Sequence, residues 1–301
     1  MKKRFVRNLP IDQYHAGEEI SHSGIVKLLK SPEHYMQYKT GGEGPTPAME
    51  FGSAFHAFIL EPEVFAKNYV LAPKFDKRTK DGKESAAKWD EENVGKTPLA
   101  ADQIEALTAM RESVYKHAGG AKMLAKGEAE SSLYWTDEIT GLKCRIRPDW
   151  LFLPDGMADL KSCVSASKAD FAKAVANFGY DIEAAFYIDG MKAVTGKSVD
   201  FFFIAVEKTA PYTTACYKAS QEMIEVGRAK YRGGLELLKW CQENKQYPGY
   251  QPNGEVETID LPRWAAITTN MVISFLTKQK KGTPCPKGND VPVGVLLLVN
   301  H

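Results

Sequence analysis

The chain has 301 residues, 44% apolar and 26% charged, which excludes wholesale disorder, and no apolar run reaches the roughly 18 residues of a membrane span. Its 39 basic and 38 acidic residues leave a net charge of +1, so global charge neither favours nor excludes nucleic acid. Five cysteines (Cys144, Cys163, Cys216, Cys241, Cys285), an odd number without a CxxC pair, argue against a disulfide framework, a zinc ribbon or an iron–sulfur cluster.

The opening MKKRFVRNLPIDQYH is basic but has no apolar region behind it, so no secretory signal is expected and a cytoplasmic setting follows. A short helix is predicted over Ser23–Leu29, ending near Ser31-Pro32, and GGEGPTP (41–47) reads as a loop. Ala48–Leu60 (AMEFGSAFHAFIL) turns helical and Pro62 closes it. Pro73–Lys83 (PKFDKRTKDGK) holds five basic residues against two acidic ones. It reads as a mobile basic loop that could bring Lys77, Arg78 and Lys80 to phosphates, or as a plain solvated loop. Asp102 is placed as the cap of a helix Gln103–His117.

The period then changes. Glu130–Thr136, Leu142–Leu153 and Met157–Ser162 read as three strands, with turns at Thr140-Gly141 and Pro154-Asp155-Gly156. Helices Lys168–Asn177 and Ile182–Val194 follow. Val199–Glu207 (VDFFFIAVE) is apolar enough for the middle of a sheet, Tyr212–Lys218 adds a strand, and Ser220–Asn244 is a long helix in spite of Gly233-Gly234. This order implies an α/β sandwich with a central mixed β-sheet flanked by helices. The organisation expected is an N-terminal segment (1–45) packing on the core, a main domain (46–265) and a C-terminal tail (266–301) whose VGVLLLV run could pair with the sheet or with a neighbouring subunit.

The chemistry concentrates in RPDWLFLPDGMADLKS. Pairing two strands across the Pro154–Gly156 turn brings Asp149 beside Asp159, and the strand period of two points Lys161 the same way as Asp159. Two close carboxylates repel unless a cation sits between them, and hard oxygen ligands suit Mg²⁺ or Mn²⁺. An adjacent lysine can orient or deprotonate water and offset developing charge. The simpler alternative is a cross-strand ion pair. His56 is the one polar residue on the buried-looking side of its helix, either a satisfied core histidine or a ligand, with Gly52 one turn earlier leaving room for a close approach.

In chain order, G-x-x-x-H, an isolated Glu, (R)PD…D-x-K and a helix with [Q/E]-x-x-x-Y resemble the RecB-like branch of the PD-(D/E)xK nucleases. The likeness is to the RecE-like exonucleases of phages and prophages, the exonuclease VIII group. It covers about Ser21 to Ala265 and is carried by SPEHY, FGSAFHAFILEP, KCRIRPDWL, ADLKS, IEAAFYIDG and FIAVEK. The resemblance implies His56, Asp149 and Asp159 as metal ligands, Lys161 as catalytic lysine, and Glu130 as a second-site ligand or orienter, unless it is an ordinary strand residue. Tyr187 would support the site and touch DNA, or simply pack. The family motif carries Gln where this chain has Glu183. A carboxylate beside DNA phosphates is repulsive, so Glu183 joins the metal shell, is protonated, or faces away.

The function implied is a Mg²⁺-dependent exodeoxyribonuclease, with Mn²⁺ able to substitute. It would run 5′ to 3′ from linear duplex ends and leave 3′ single strands for a RecT-like annealing protein. A ring-shaped homo-oligomer would give processivity. The alternatives are an endonuclease or resolvase of the same fold and a non-catalytic DNA-binding module. With an ordinary imidazole at His56, metal-dependent activity would fall as pH drops through about 6.5.

Overall fold

The computed structural model describes residues 3–41, 44, 46–251 and 253–262. In chain order the elements begin with β1 (Arg4–Val6), α1 (Ile11–His15), α2 (His22–Lys30), α3 (Pro32–Lys39), α4 (Pro47–Leu60) and α5 (Pro62–Asn68). There follow β2 (Tyr69–Leu71), α6 (Lys80–Glu92), β3 (Thr97–Leu99), α7 (Ala101–Lys116), α8 (Ala118–Leu124), β4 (Glu128–Ala129), β5 (Ser132–Thr136) and β6 (Lys143–Ile146). The chain continues through β7 (Trp150–Phe152), β8 (Gly156–Cys163), α9 (Lys168–Phe178), α10 (Tyr180–Thr195), β9 (Asp200–Glu207), β10 (Thr214–Lys218) and α11 (Gln221–Asn244). These elements lie in one compact unit that ends at Tyr250. The expected C-terminal tail (266–301) with its VGVLLLV run lies outside the described residues.

The main sheet has strand order β10-β9-β8-β7-β4. It is mixed, as expected: β8 and β9 run parallel over Gly156↔Asp200 to Cys163↔Glu207, and the other pairs are antiparallel. The parallel pair needs a crossover, supplied by α9 and α10. Strand alternation divides the core in two. Met157, Phe201, Phe203 and Ala205 pack with α10 and α11 on one face, while Ala158, Leu160, Ile204 and Val206 pack with α4 and α7 on the other. A buried pair of central strands explains the near-continuous apolar run of β9.

The N-terminal segment belongs to this core. Ser21 caps α2 by accepting the Gly24 N–H at 3.3 Å, which seats Ile25 and Leu28, both fully buried, against the α10 side. Two glycines set the position of α10. Gly179 takes φ +72° where α9 ends and α10 begins. At Gly227 of α11 a Cβ would stand 1.9 Å from the Asp181 carbonyl oxygen, so only glycine lets the two helices approach.

Several sequence expectations are corrected. Leu142–Leu153 is two strands: β6 pairs with β5 in a small sheet ordered β1-β5-β6, and β7 pairs with β8 in the main one. The break falls at Arg147-Pro148-Asp149, where Pro148 has no N–H to give to a ladder. The first predicted strand starts at Ser132, because Glu130 sits at φ +50°. Asp102 is not a cap. The helix begins at Ala101, and the Gln103 side chain accepts the Ala100 N–H at 2.9 Å, which leaves Asp102 in the first turn near the positive helix end. The basic segment is only partly loop: Thr79 accepts the Gly82 N–H at 3.0 Å and starts α6 at Lys80. Gly52 makes no close approach, for a Cβ there would meet nothing within 4 Å.

Candidate active site

The β7–β8 hairpin pairs Trp150 with Ala158, Leu151 with Met157 and Phe152 with Gly156. Continuing that register sets Asp149, just before β7, across from Asp159. Asp149 does not extend the ladder; its Oδ2 instead accepts the Leu160 N–H at 2.8 Å. The same oxygen lies 3.3 Å from Nδ1 of His56, delivered by α4 from the opposite face. Glu130 is tied to the same place through its backbone, its N–H donating to the Asp149 carbonyl at 3.1 Å. Its carboxylate pairs with the Arg147 guanidinium.

One donor atom from each of His56, Glu130 and Asp149 lies within 4.8 Å of the others. An imidazole and two carboxylates are a fitting donor set for a small divalent ion such as Mg²⁺ or Mn²⁺. Asp159, predicted as the third ligand, stands outside this triplet. Its Oδ2 is 2.5 Å from Nζ of Lys161. Lys161 in turn bridges to Glu183 Oε2 at 2.9 Å and lies 4.5 Å from the centre of the Tyr180 ring. The alternation of β8 explains this second group: Asp159 and Lys161 point towards α10, which carries Glu183, while Leu160 points to the other core.

The electrostatics separate the two aspartates. Burial disfavours the charged form of both. For Asp149 this is outweighed by His56, Lys161 and the Leu160 N–H, and its carboxyl is held below the usual range. For Asp159 burial adds to the nearby charges of Asp149 and Glu183 and pushes its proton affinity well up. Burial works against the His56 imidazolium, yet Asp149 overcomes it and raises His56 from 6.5 to about 9. Lys161 is likewise held charged against its burial by Asp159 and Glu183. In this structure Lys161 is thus held as the ammonium, whereas the sequence also allowed a proton acceptor. Glu130 is raised to about 7, first by burial and then by Asp149.

Tyr187 is buried, and its hydroxyl donates to the Arg147 carbonyl at 3.4 Å, so it steadies the loop that carries Asp149. Lys77, Arg78 and Lys80 lie on the exposed 77–80 stretch. There Arg78 pairs with Asp76 at 3.1 Å and Lys80 with Glu84 at 3.8 Å. Sequence reasoning missed three contributors. His22 of α2 reaches Glu183, Tyr180 underlies Lys161, and Arg147 holds Glu130. Only Arg147 left a trace, two residues ahead of Asp149 in the quoted motif. A cleft of ≈ 580 Å³ opens onto His56, Glu61, Glu130 and Arg147, with Lys67 and Tyr69 along its wall.

Comparison with solved structures finds an Eubacterium rectale protein provisionally named an exonuclease, 14% identical. It matches with a TM-score of 0.58 over 85% of this chain and 97% of the other. An alkaline exonuclease from Laribacter hongkongensis is 15% identical over 61% of this chain and 97% of its own, with a TM-score of 0.26, too low to carry any argument. The comparison with curated proteins returns no match. The family described as "PDDEXK-like domain of unknown function (DUF3799)" matches residues 21–262, which include every residue of both clusters. With its mixed sheet and the D…D-x-K constellation in place, the chain belongs to that PDDEXK-like family.

Proposed function

We propose that the protein is a metal-dependent deoxyribonuclease, acting as a 5′-to-3′ exonuclease on linear duplex DNA. The observation that carries the reading is the convergence of His56, Glu130 and Asp149 within 4.8 Å, next to a lysine that is itself 2.5 Å from Asp159. A divalent ion held by such donors supplies Lewis acidity and lowers the pKa of water. The chain's own groups do the rest. Asp149 stays ionised and fixes the His56 ring. Lys161 offers a permanent positive charge where a phosphate gains charge during displacement. Arg147, held by Glu130 and by the carbonyl of Leu9 at 2.9 Å, adds a second cation at the cleft wall.

Family resemblance supports the direction of digestion, the 3′ single-stranded product, handover to a RecT-like annealing protein and a ring-shaped assembly in a bacterial cytoplasm. A ring would hold DNA captive where a net charge of +1 gives little sheer affinity. The deciding experiment incubates the protein and Mg²⁺ with linear and with closed-circular duplex. Digestion of the linear DNA alone, with 3′ overhangs, is expected. Cleavage of the circle would overturn the exonuclease reading, and no cleavage of either DNA with Mg²⁺ or Mn²⁺ would overturn the nuclease reading.

A further inference from the structure

Arg145 lies on β6, two residues before Arg147, and is 4% exposed. Its Nη1 donates to the carbonyl oxygens of Tyr14 and of Gly17, the latter at 3.0 Å, and so satisfies the open C-terminal end of α1. That uses one edge of the guanidinium. On the other edge the buried Nε has no hydrogen-bond partner, and Nη2 makes no hydrogen bond among the described residues. Nor does any carboxylate among those residues form an ion pair with Arg145; Glu19 approaches on the Gly17 side without reaching it. Arg147 differs, because Glu130 pairs with it. Both guanidiniums lie over the Tyr14 ring, at 4.6 Å and 5.4 Å from its centre. Leaving a buried cation unpaired is costly, and an anion at the open edge relieves that cost.

Arg145 lines a pocket of ≈ 190 Å³, over ten times the roughly 15 Å³ that one water requires. His15, Ser23, Tyr38 and Arg147 share its wall. Glu130 and Arg147 line this pocket and also the cleft at the metal cluster, so the two cavities adjoin across that ion pair. Burial, then Arg145 and Arg147, lower the proton affinity of His15, as a positive pocket should. We propose that the Nε–Nη2 edge of Arg145 is a second anion site, which takes a phosphate group of the DNA strand lying at the metal cluster. Two parallel N–H groups match two phosphate oxygens, a bidentate grip that an ammonium cannot make. A phosphate there completes the bonding of Arg145 and anchors the strand on the far side of the Glu130–Arg147 pair, away from the phosphate that is cut. The DNA assignment rests on the proposed nuclease reading; the anion site does not.

The first test is NMR of ¹⁵N-arginine-labelled, metal-free, full-length protein, with the Arg145 Nε–H signal assigned through its contact with the Tyr14 ring. Inorganic phosphate is titrated first. A saturable shift of that signal, with an affinity on the order of 1 mM, is expected, and a signal that phosphate does not move would overturn the anion site. A short single-stranded DNA with a 5′-phosphate, and the same DNA with a 5′-hydroxyl, are then added in EDTA. A shift with both assigns a backbone phosphate, and a shift with the first alone assigns the end phosphate. A shift with neither would overturn the DNA assignment. The second test is duplex binding in Ca²⁺. Arg145→Lys keeps the charge and loses the fork, and should weaken binding roughly tenfold to a hundredfold. If that variant does not fold, His15→Glu sets a carboxylate on the pocket wall and should weaken binding in the same direction. Unchanged affinity in whichever variant folds would reduce Arg145 to a brace for α1 and overturn the proposal. A protein that takes phosphate at Arg145 yet cuts no DNA would sink the nuclease reading alone.

Discussion

Asp149→Asn is the sharpest perturbation, because it removes one charge while keeping the side chain's shape. The rise of His56 from 6.5 to about 9 is caused chiefly by Asp149 acting against burial. At about 1.4 kcal/mol per pH unit this corresponds to roughly 3 kcal/mol of coupling between the imidazolium and its carboxylate surroundings. The folded-state value lies above the unfolded one, so this stabilisation is fully present below pH 6.5 and is lost as pH rises through about 9. In Asp149→Asn the burial cost remains and most of the compensation goes. The His56 midpoint should then fall by about two pH units or more. NMR titration of the His56 ring in metal-free protein measures the midpoint directly. Urea unfolding at pH 6 and pH 9.5 measures the stability difference, which should be roughly 3 kcal/mol smaller in the variant. A His56 that still titrates near 9 in the variant would refute the reasoning.

Metal binding at this cluster must displace the His56 proton, so Mn²⁺ binding near neutral pH should release about one proton and weaken as pH falls below about 9; calorimetry in buffers of different ionisation heat checks it, and zero release would exclude His56 as a ligand. Asp159→Ala should abolish cleavage while duplex binding in Ca²⁺ survives, and cutting at the wild-type rate would remove Asp159 from the site. Lys161→Met leaves Asp159 and Glu183 in a buried pocket without their cation, and should destabilise the fold by about 3–5 kcal/mol in urea unfolding. A change below about 1 kcal/mol would mean the pocket readily protonates instead. Light scattering in dilute buffer should show a closed oligomer, and a strict monomer would exclude the ring.

Local pattern alone determined much of this protein. The alternation in ADLKS puts Asp159 and Lys161 on one face, the apolar run of β9 demands a buried central strand, and the turn at 154–156 folds β7 back on β8. These are short-range consequences of side-chain period and turn chemistry, legible without a third dimension. Only the tertiary structure decided which groups converge on one spot. Asp149 leaves the ladder after Pro148, takes the Leu160 N–H and turns to His56, while Asp159 goes to Lys161. Glu130 reaches the cluster through a positive-φ backbone that no strand pattern announces. His22 lies 161 positions before Glu183 and meets it because α2 packs on α10, held by core contacts of Ile25 and Leu28 that carry no chemical signature. Sequence spacing specifies neighbours within an element. Which proton, charge or donor each acquires depends on burial and on partners from distant segments, and those exist only once the chain has packed.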